Sequence, residues 1–192
     1  GRKNINCKKV MNLIQNRSLK QLLWIGIGSI IMFFAGLTSA YVVRKPQGNW
    51  VEFILPDWFL YSTIIILLSS IMLILAKTRI QHQKVASNLI LGTFFLGVIF
   101  SYFQFRGWQV LTNQGVFLTG EGSNVSGSFL YVITLAHLIH LIGGLIAILI
   151  IAIKTRKGKY SPKDCLGFDL TSIYWHFVGL LWIYLFIFLK YF

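Results

Sequence analysis

Three histidines lie inside long apolar runs: His137, His140 and His176. Ionisable groups in such runs mark cofactor sites, proton relays or substrate paths. Two histidines on separate helices could hold a haem iron from both sides. His137, His140, Gly144 and Ala147 share one helical stripe, about 80° wide at ~100° per residue. Depth weighs against a shared iron. His140 lies about 20 Å from the basic end of its run and His176 about 9 Å from the same face, at ~1.5 Å rise per residue. That mismatch near 10 Å favours structural, hydrogen-bonded histidines over ligands. No carboxylate lies deep in a run: Asp57 and Asp169 sit at run ends, and Glu52, Glu121 and Asp164 sit between runs. A self-contained pump or channel is therefore not expected. Cys7 and Cys165 lack metal-ligand spacing, and Cys7 follows no apolar run that would make it a lipoprotein acceptor.

The elements that position these groups follow from composition. The 192 residues are 56% hydrophobic and 12% charged, about half the charged share of a soluble domain. Five runs, 21–43, 57–76, 86–105, 128–153 and 170–189, reach the roughly 20 residues that a helix needs to cross a bilayer. Hydrocarbon offers no partner for backbone amides, so these runs must be helices. The expected fold is an all-α integral membrane bundle of five transmembrane helices over 21–192, preceded by a basic segment over 1–20. Small residues spaced by four, Gly36 with Ala40 and Gly97 with Ser101, suit close helix packing. Trp24, Trp50, Trp58 and Trp108 fall near run ends, as interfacial belts require.

Charge placement sets the orientation. Fourteen of the 18 Lys and Arg precede the first run or lie in the second and fourth connections; Arg44, Lys45, Arg106 and Lys190 fall on the other side. This bias predicts a cytoplasmic N-terminus and an external C-terminus. The net charge of +13 is then a topology and lipid-headgroup signal, and no nucleic acid is expected as a partner. Both cysteines fall on the cytoplasmic side, where thiols stay reduced.

In the last run, Tyr174-Trp175-His176-Phe177-Val178-Gly179-Leu180-Leu181-Trp182 resembles the Tyr-Trp-His-Phe-Val-Asp signature of subunit III of haem–copper cytochrome c oxidases. Gly127-Ser128, Thr134, His137, His140 and Gly144 match that family in the fourth run. Leu96-Gly97-Val98, Phe100 and Gln104 match in the third. Ser29, Met32-Phe33-Phe34-Ala35-Gly36 and Ala40-Tyr41 match in the first. Five spans fit the short bacterial form of this subunit, whose long form has seven.

The resemblance implies a supporting subunit of a terminal oxidase in the bacterial cytoplasmic membrane, with no catalytic and no metal site of its own. Haem and copper would belong to oxidase subunits I and II, which reduce oxygen and pump protons. This chain would pack against the catalytic subunit, hold phospholipid in a cleft and sustain proton uptake during turnover. The whole could join a larger respiratory supercomplex. Thr134, His137, His140, Gly144, Tyr174, Trp175, His176, Trp182 and Gln104 would serve structure, subunit contact or lipid contact. Two departures limit the transfer. Ile30 stands where the family has a buried glutamate, and Gly179 stands where it has the aspartate one turn from His176. A quinol-oxidising relative, a nitric oxide reductase accessory subunit and a self-sufficient haem cytochrome are the other readings of the same residues.

Overall fold

Each apolar run closes its backbone hydrogen bonds within itself. In the computed structural model, which describes residues 2–47, 55–116, 118, 125–158 and 166–191, they form five helices: α1 (Arg2–Arg44), α2 (Asp57–Thr78), α3 (Gln83–Asn113), α4 (Val125–Arg156) and α5 (Leu166–Tyr191). All five are long and apolar enough to cross a membrane, α1 through its part Asn16–Arg44. The described residues contain no strand. Trp50, Glu52, Glu121, Asp164 and Cys165 lie outside the described residues, as does the side chain of Cys7.

α2, α3, α4 and α5 close into a ring of neighbours, with α2 and α3 forming the most intimate pair. α1 stands outside this ring against α4 and α5. It does so through a narrow stripe of Ile27, Phe34, Thr38 and Tyr41, each buried. Their spacings of seven, four and three keep one helix face toward the bundle. Thr38 lies 3.2 Å from the Tyr184 hydroxyl, and Tyr41 packs edge-on against Phe129 and Phe188. The rest of α1 is open: Leu22, Trp24, Ile25 and Met32 are all more than half exposed.

α1 runs unbroken from Arg2, so the basic segment is helical and continuous with the first span. Two features differ from the expectations. α3 continues two turns past the predicted end at residue 105, to Asn113. Arg106 suggested a boundary, but its guanidinium sits 5.7 Å over the Trp58 ring and donates to Gln109 at 2.9 Å. The charge is thereby held at the edge while the helix passes on. α3 ends in a Schellman cap on Gly115, whose φ of 81° suits glycine. The Val116 amide closes onto the Leu111 carbonyl at 3.0 Å, and the Tyr131 hydroxyl pins the Val116 carbonyl to α4 at 3.0 Å. Secondly, Gly36 and Ala40 do not pack in the bundle. A Cβ on Gly36 would meet nothing within 4 Å, and Ala40 is exposed. Gly97 does pack as its spacing suggested.

Candidate functional site

α5 carries two tryptophans seven residues apart, hence two turns apart on one face. Both are fully buried. Trp175 donates its indole N–H to Ser69 Oγ of α2 at 3.0 Å. Its ring lies between two glycines. A Cβ on Gly97 of α3 would stand 2.8 Å from Trp175 Cη2, and one on Gly144 of α4 would stand 3.1 Å from Cε3. One indole therefore touches all three other helices of the ring. Trp182 repeats the arrangement. It donates to Thr63 Oγ1 of α2 at 3.0 Å, stacks on Phe59, meets Phe100 of α3 edge-on and lies 5.1 Å from the His137 ring of α4.

The hydroxyls that receive these N–H groups share one device. Ser69 and Thr63 donate their own hydrogens back to the Ile66 and Phe59 carbonyls, at 2.7 and 2.8 Å. That leaves oxygen lone pairs free to accept across the interface. Gln104 Nε2 donates to Ser62, which bonds back to Phe59; Trp108 donates to Thr134, which bonds back to Leu130. Four interhelical contacts are thus made by hydroxyls whose own donors are already satisfied. Trp108, expected in the interfacial belt, is turned inward by this bond. The α2 hydroxyls were not singled out from the sequence. Ser62 and Ser69, seven apart like Trp175 and Trp182, were the available signal.

The histidines part company. His140 approaches the Ala136 carbonyl through Nδ1 at 2.7 Å; a carbonyl only accepts, so Nδ1 carries the hydrogen. The Tyr174 hydroxyl donates to the His140 carbonyl at 3.0 Å, beside Gly144. His137 is fully buried among Phe34, Phe100 and Trp182, and neither ring nitrogen has a hydrogen-bond partner among the described residues. Gln104 Oε1 is likewise unpartnered there. An orphaned buried polar group costs roughly 1–3 kcal/mol. The expectation of hydrogen-bonded histidines thus holds for His140 and fails for His137. Among the described residues no three His, Cys, Asp or Glu side chains gather as a metal site.

His176 turns elsewhere. It is half-buried and lines a cleft of about 620 Å³ between α1, α2 and α5, with Lys20, Trp24, Ile74, Lys77 and Asp169. Lys77 of α2 and Asp169 of α5 pair across it at 2.9 Å. Gly179, one turn on, faces Ile66 and Ser70 of α2 instead. Ile30 is partly buried and packs against the apolar core, while Ser29 is exposed and bonds its own helix at Ile25. An acid at position 30 would face packed side chains.

Known proteins bear on this arrangement directly. A sequence profile of cytochrome c oxidase subunit III matches residues 49–192, which hold α2 to α5 and their paired tryptophans. The chain belongs to the cytochrome c oxidase subunit III family. A probable cytochrome c oxidase subunit 3 of Nocardia farcinica is 30% identical over 187 residues, covering 88% of this chain and 84% of the relative. One from Mycobacterium bovis is 31% identical over 182 residues, with the same coverage. The cytochrome c oxidase subunit 3 of Corynebacterium diphtheriae is 28% identical over 184 residues, covering 85% of each. This subunit III is thus a multi-pass membrane component of a haem–copper oxidase and associates with other oxidase subunits. Members of the family carry no haem or copper themselves.

Within subunit III, the motif residues divide by task. Gln104, Thr134, Gly144, Trp175 and Trp182 join α2, α3, α4 and α5. His140 and Tyr174 fix the α4–α5 seam. His176 opens onto the cleft between α1, α2 and α5.

Proposed function

We propose that this subunit III is a non-catalytic support for oxidase subunits I and II in a bacterial cytoplasmic membrane. It holds phospholipid and sustains proton uptake while the catalytic subunit reduces oxygen. The supporting observation is that three of the signature residues, Trp175, Trp182 and Gln104, each donate a side-chain N–H to a hydroxyl of α2. Trp175 bonds Ser69, Trp182 bonds Thr63 and Gln104 bonds Ser62, each at 3.0–3.1 Å. Such a scaffold offers a rigid lateral face to a partner. Purification through a tag on this chain in mild detergent is expected to bring down a haem-bearing subunit and a copper-bearing subunit II. Deleting the chain is expected to leave the haem spectrum of the remaining complex nearly intact, while activity decays faster during turnover. Complete loss of haem from a normally assembled core would overturn the reading.

The same reading puts the N-terminus and residues 1–20 in the cytoplasm and the C-terminus outside, following the charge bias. Reporter fusions after Lys84 and Lys159 are expected to read cytoplasmic, and those after Lys45 and Glu121 external. One reversed pair breaks the orientation.

A further inference from the structure

Trp175 and Trp182 mark two layers of the helix ring, and the second layer holds polar atoms that the first lacks. Seven residues along each helix from Trp175, Ser69, Gly97 and Gly144 stand Trp182, Ser62, Gln104 and His137. Seven residues make two turns, about 10.5 Å, and nearly keep the helix face. Successive spans alternate in direction, so all four steps lead toward the same end of the bundle. Where two glycines flank Trp175, Gln104 and His137 therefore share the layer of Trp182. The contacts agree. His137 lies 5.1 Å from the Trp182 ring and 6.0 Å from Phe100, which is one turn before Gln104. Trp182 donates to Thr63, and Gln104 Nε2 donates to the adjacent Ser62 at 3.1 Å. Both side chains are enclosed, Gln104 at 1% exposure and His137 at 0%. Gln104 Oε1 and both His137 ring nitrogens have no partner among the described residues. Turning the amide round does not help. Ser62 gives its hydrogen to the Phe59 carbonyl at 2.8 Å and can only accept from Gln104, so Nε2 must face it.

We infer that one water molecule is bound between His137 and Gln104, inside the ring of α2, α3, α4 and α5. Full burial keeps side chains of other subunits away from these atoms, so the occupant must be small. It must also both donate and accept. A neutral imidazole has one N–H and one acceptor nitrogen, whereas Oε1 only accepts. The water accepts from the His137 N–H and donates one hydrogen to Gln104 Oε1. Orphaned buried N–H groups are rarer than under-satisfied acceptors, so the second imidazole nitrogen is the atom left over. Two such bonds fall within the roughly 2–4 that a buried water makes. The water thus ties α4 to α3, and through Gln104 and Ser62 to α2. It does so in a layer where Gln104 and His137 replace the glycines that seat Trp175.

The test uses the chain captured by its tag in mild detergent with its bound partners. X-ray radiolysis followed by mass spectrometry detects water held inside a protein, because hydroxyl radicals form where that water sits. Trp175 and Trp182 are matched reporters. Both indoles are fully buried and donate to an α2 hydroxyl at 3.0 Å, and Trp182 is the one that lies against His137. Oxidation of His137 and Trp182 several-fold faster than Trp175 is expected; equally slow oxidation of all three overturns the bound water. A high-resolution map of the complex is expected to show density about 2.7–3.2 Å from both a His137 nitrogen and Gln104 Oε1. No density there, or Oε1 bonded directly to His137, overturns it. Melting of the same preparation gives a third readout. His137→Leu is expected to lower the melting temperature by about 2–4 °C, the shift for one buried contact in a chain of this length. In a Gln104→Met background, where the acceptor is already gone, the same substitution is expected to shift it far less. An equal shift in both backgrounds, or a rise in the wild-type one, overturns the bridge. If a variant does not assemble, radiolysis and the map of the wild-type complex still decide.

Discussion

Trp175→Ala is expected to lower the unfolding temperature of the detergent-solubilised chain by on the order of 10 °C, from roughly 3–5 kcal/mol at about 2–4 °C per kcal/mol for a chain of this length. The indole is fully buried and sits between Gly97 and Gly144 while donating to Ser69 at 3.0 Å. In a bilayer, helices gain little from leaving lipid, since acyl chains are as apolar as leucine; close packing and interhelical bonds hold the bundle instead. Alanine would remove both at the point where four helices meet, and acyl chains cannot reach an enclosed void. Trp175→Phe keeps much of the ring but forfeits the N–H. Since Ser69 still donates to Ile66, no buried donor is orphaned, and a loss of about 1–2 kcal/mol is expected. Heating followed by fluorescence-detected size exclusion gives the comparison. A Trp175→Ala chain melting within about 2 °C of wild type would show that the indole is not the tie described, since roughly 3 kcal/mol predicts more.

The glycines give a second expectation, in which the same substitution changes sign with position. A Cβ on Gly97 would stand 2.6 Å from Leu145 Cδ2 and 2.8 Å from Trp175 Cη2. Leu145 can rotate away; Trp175 is fixed by Ser69 and by Gly144 behind it. Overpacking of this kind costs about 1–3 kcal/mol, against a helix-propensity gain of ~1 kcal/mol over glycine. Gly97→Ala is thus expected to be neutral to mildly destabilising, and Gly97→Val, bulkier and β-branched, strongly so. At Gly179 the nearest atoms are Ile66 Cγ1 at 3.4 Å and Ser70 Oγ at 3.6 Å, ordinary contact distances. Gly179→Ala is expected to raise stability by about 0.5–1 kcal/mol. Melting temperatures should rank Gly179→Ala above wild type and Gly97→Val lowest. If Gly97→Val melts at or above Gly179→Ala, the tight seat of Trp175 is wrong.

The contrast also marks what the sequence could tell. Hydropathy delivers the five spans because crossing a bilayer is a demand on length and apolarity alone. Span ends are less legible: α3 outran its predicted end because Arg106 rests on Trp58, a contact between residues 48 positions apart. Small-residue spacing likewise reports that two residues share a face, not which face. Gly36 with Ala40 and Gly97 with Ser101 look alike in sequence, yet Gly97 is packed and Gly36 is open. The family signature singled out Trp175 and Trp182. Their acceptors Ser69 and Thr63 sit more than 100 residues away, and no local pattern connects them. His137 shows the opposite limit. Its residue type suggested a hydrogen bond, and only the surrounding rings of Phe34, Phe100 and Trp182 reveal that none is made among the described residues.

Because both tryptophans belong to α5, the ring is closed by the helix that leaves the ribosome after the other four. Until it inserts, α2, α3 and α4 can associate in the nascent chain, but the acceptors at Ser69 and Thr63 and the hollow beside Gly97 and Gly144 have no occupant. Synthesis halted between α4 and Trp175 would leave α1 to α4 without this tie, with the acceptors at Ser69 and Thr63 unfilled. A chain translated through Trp182 is thus expected to be the first to hold all four helices of the ring together.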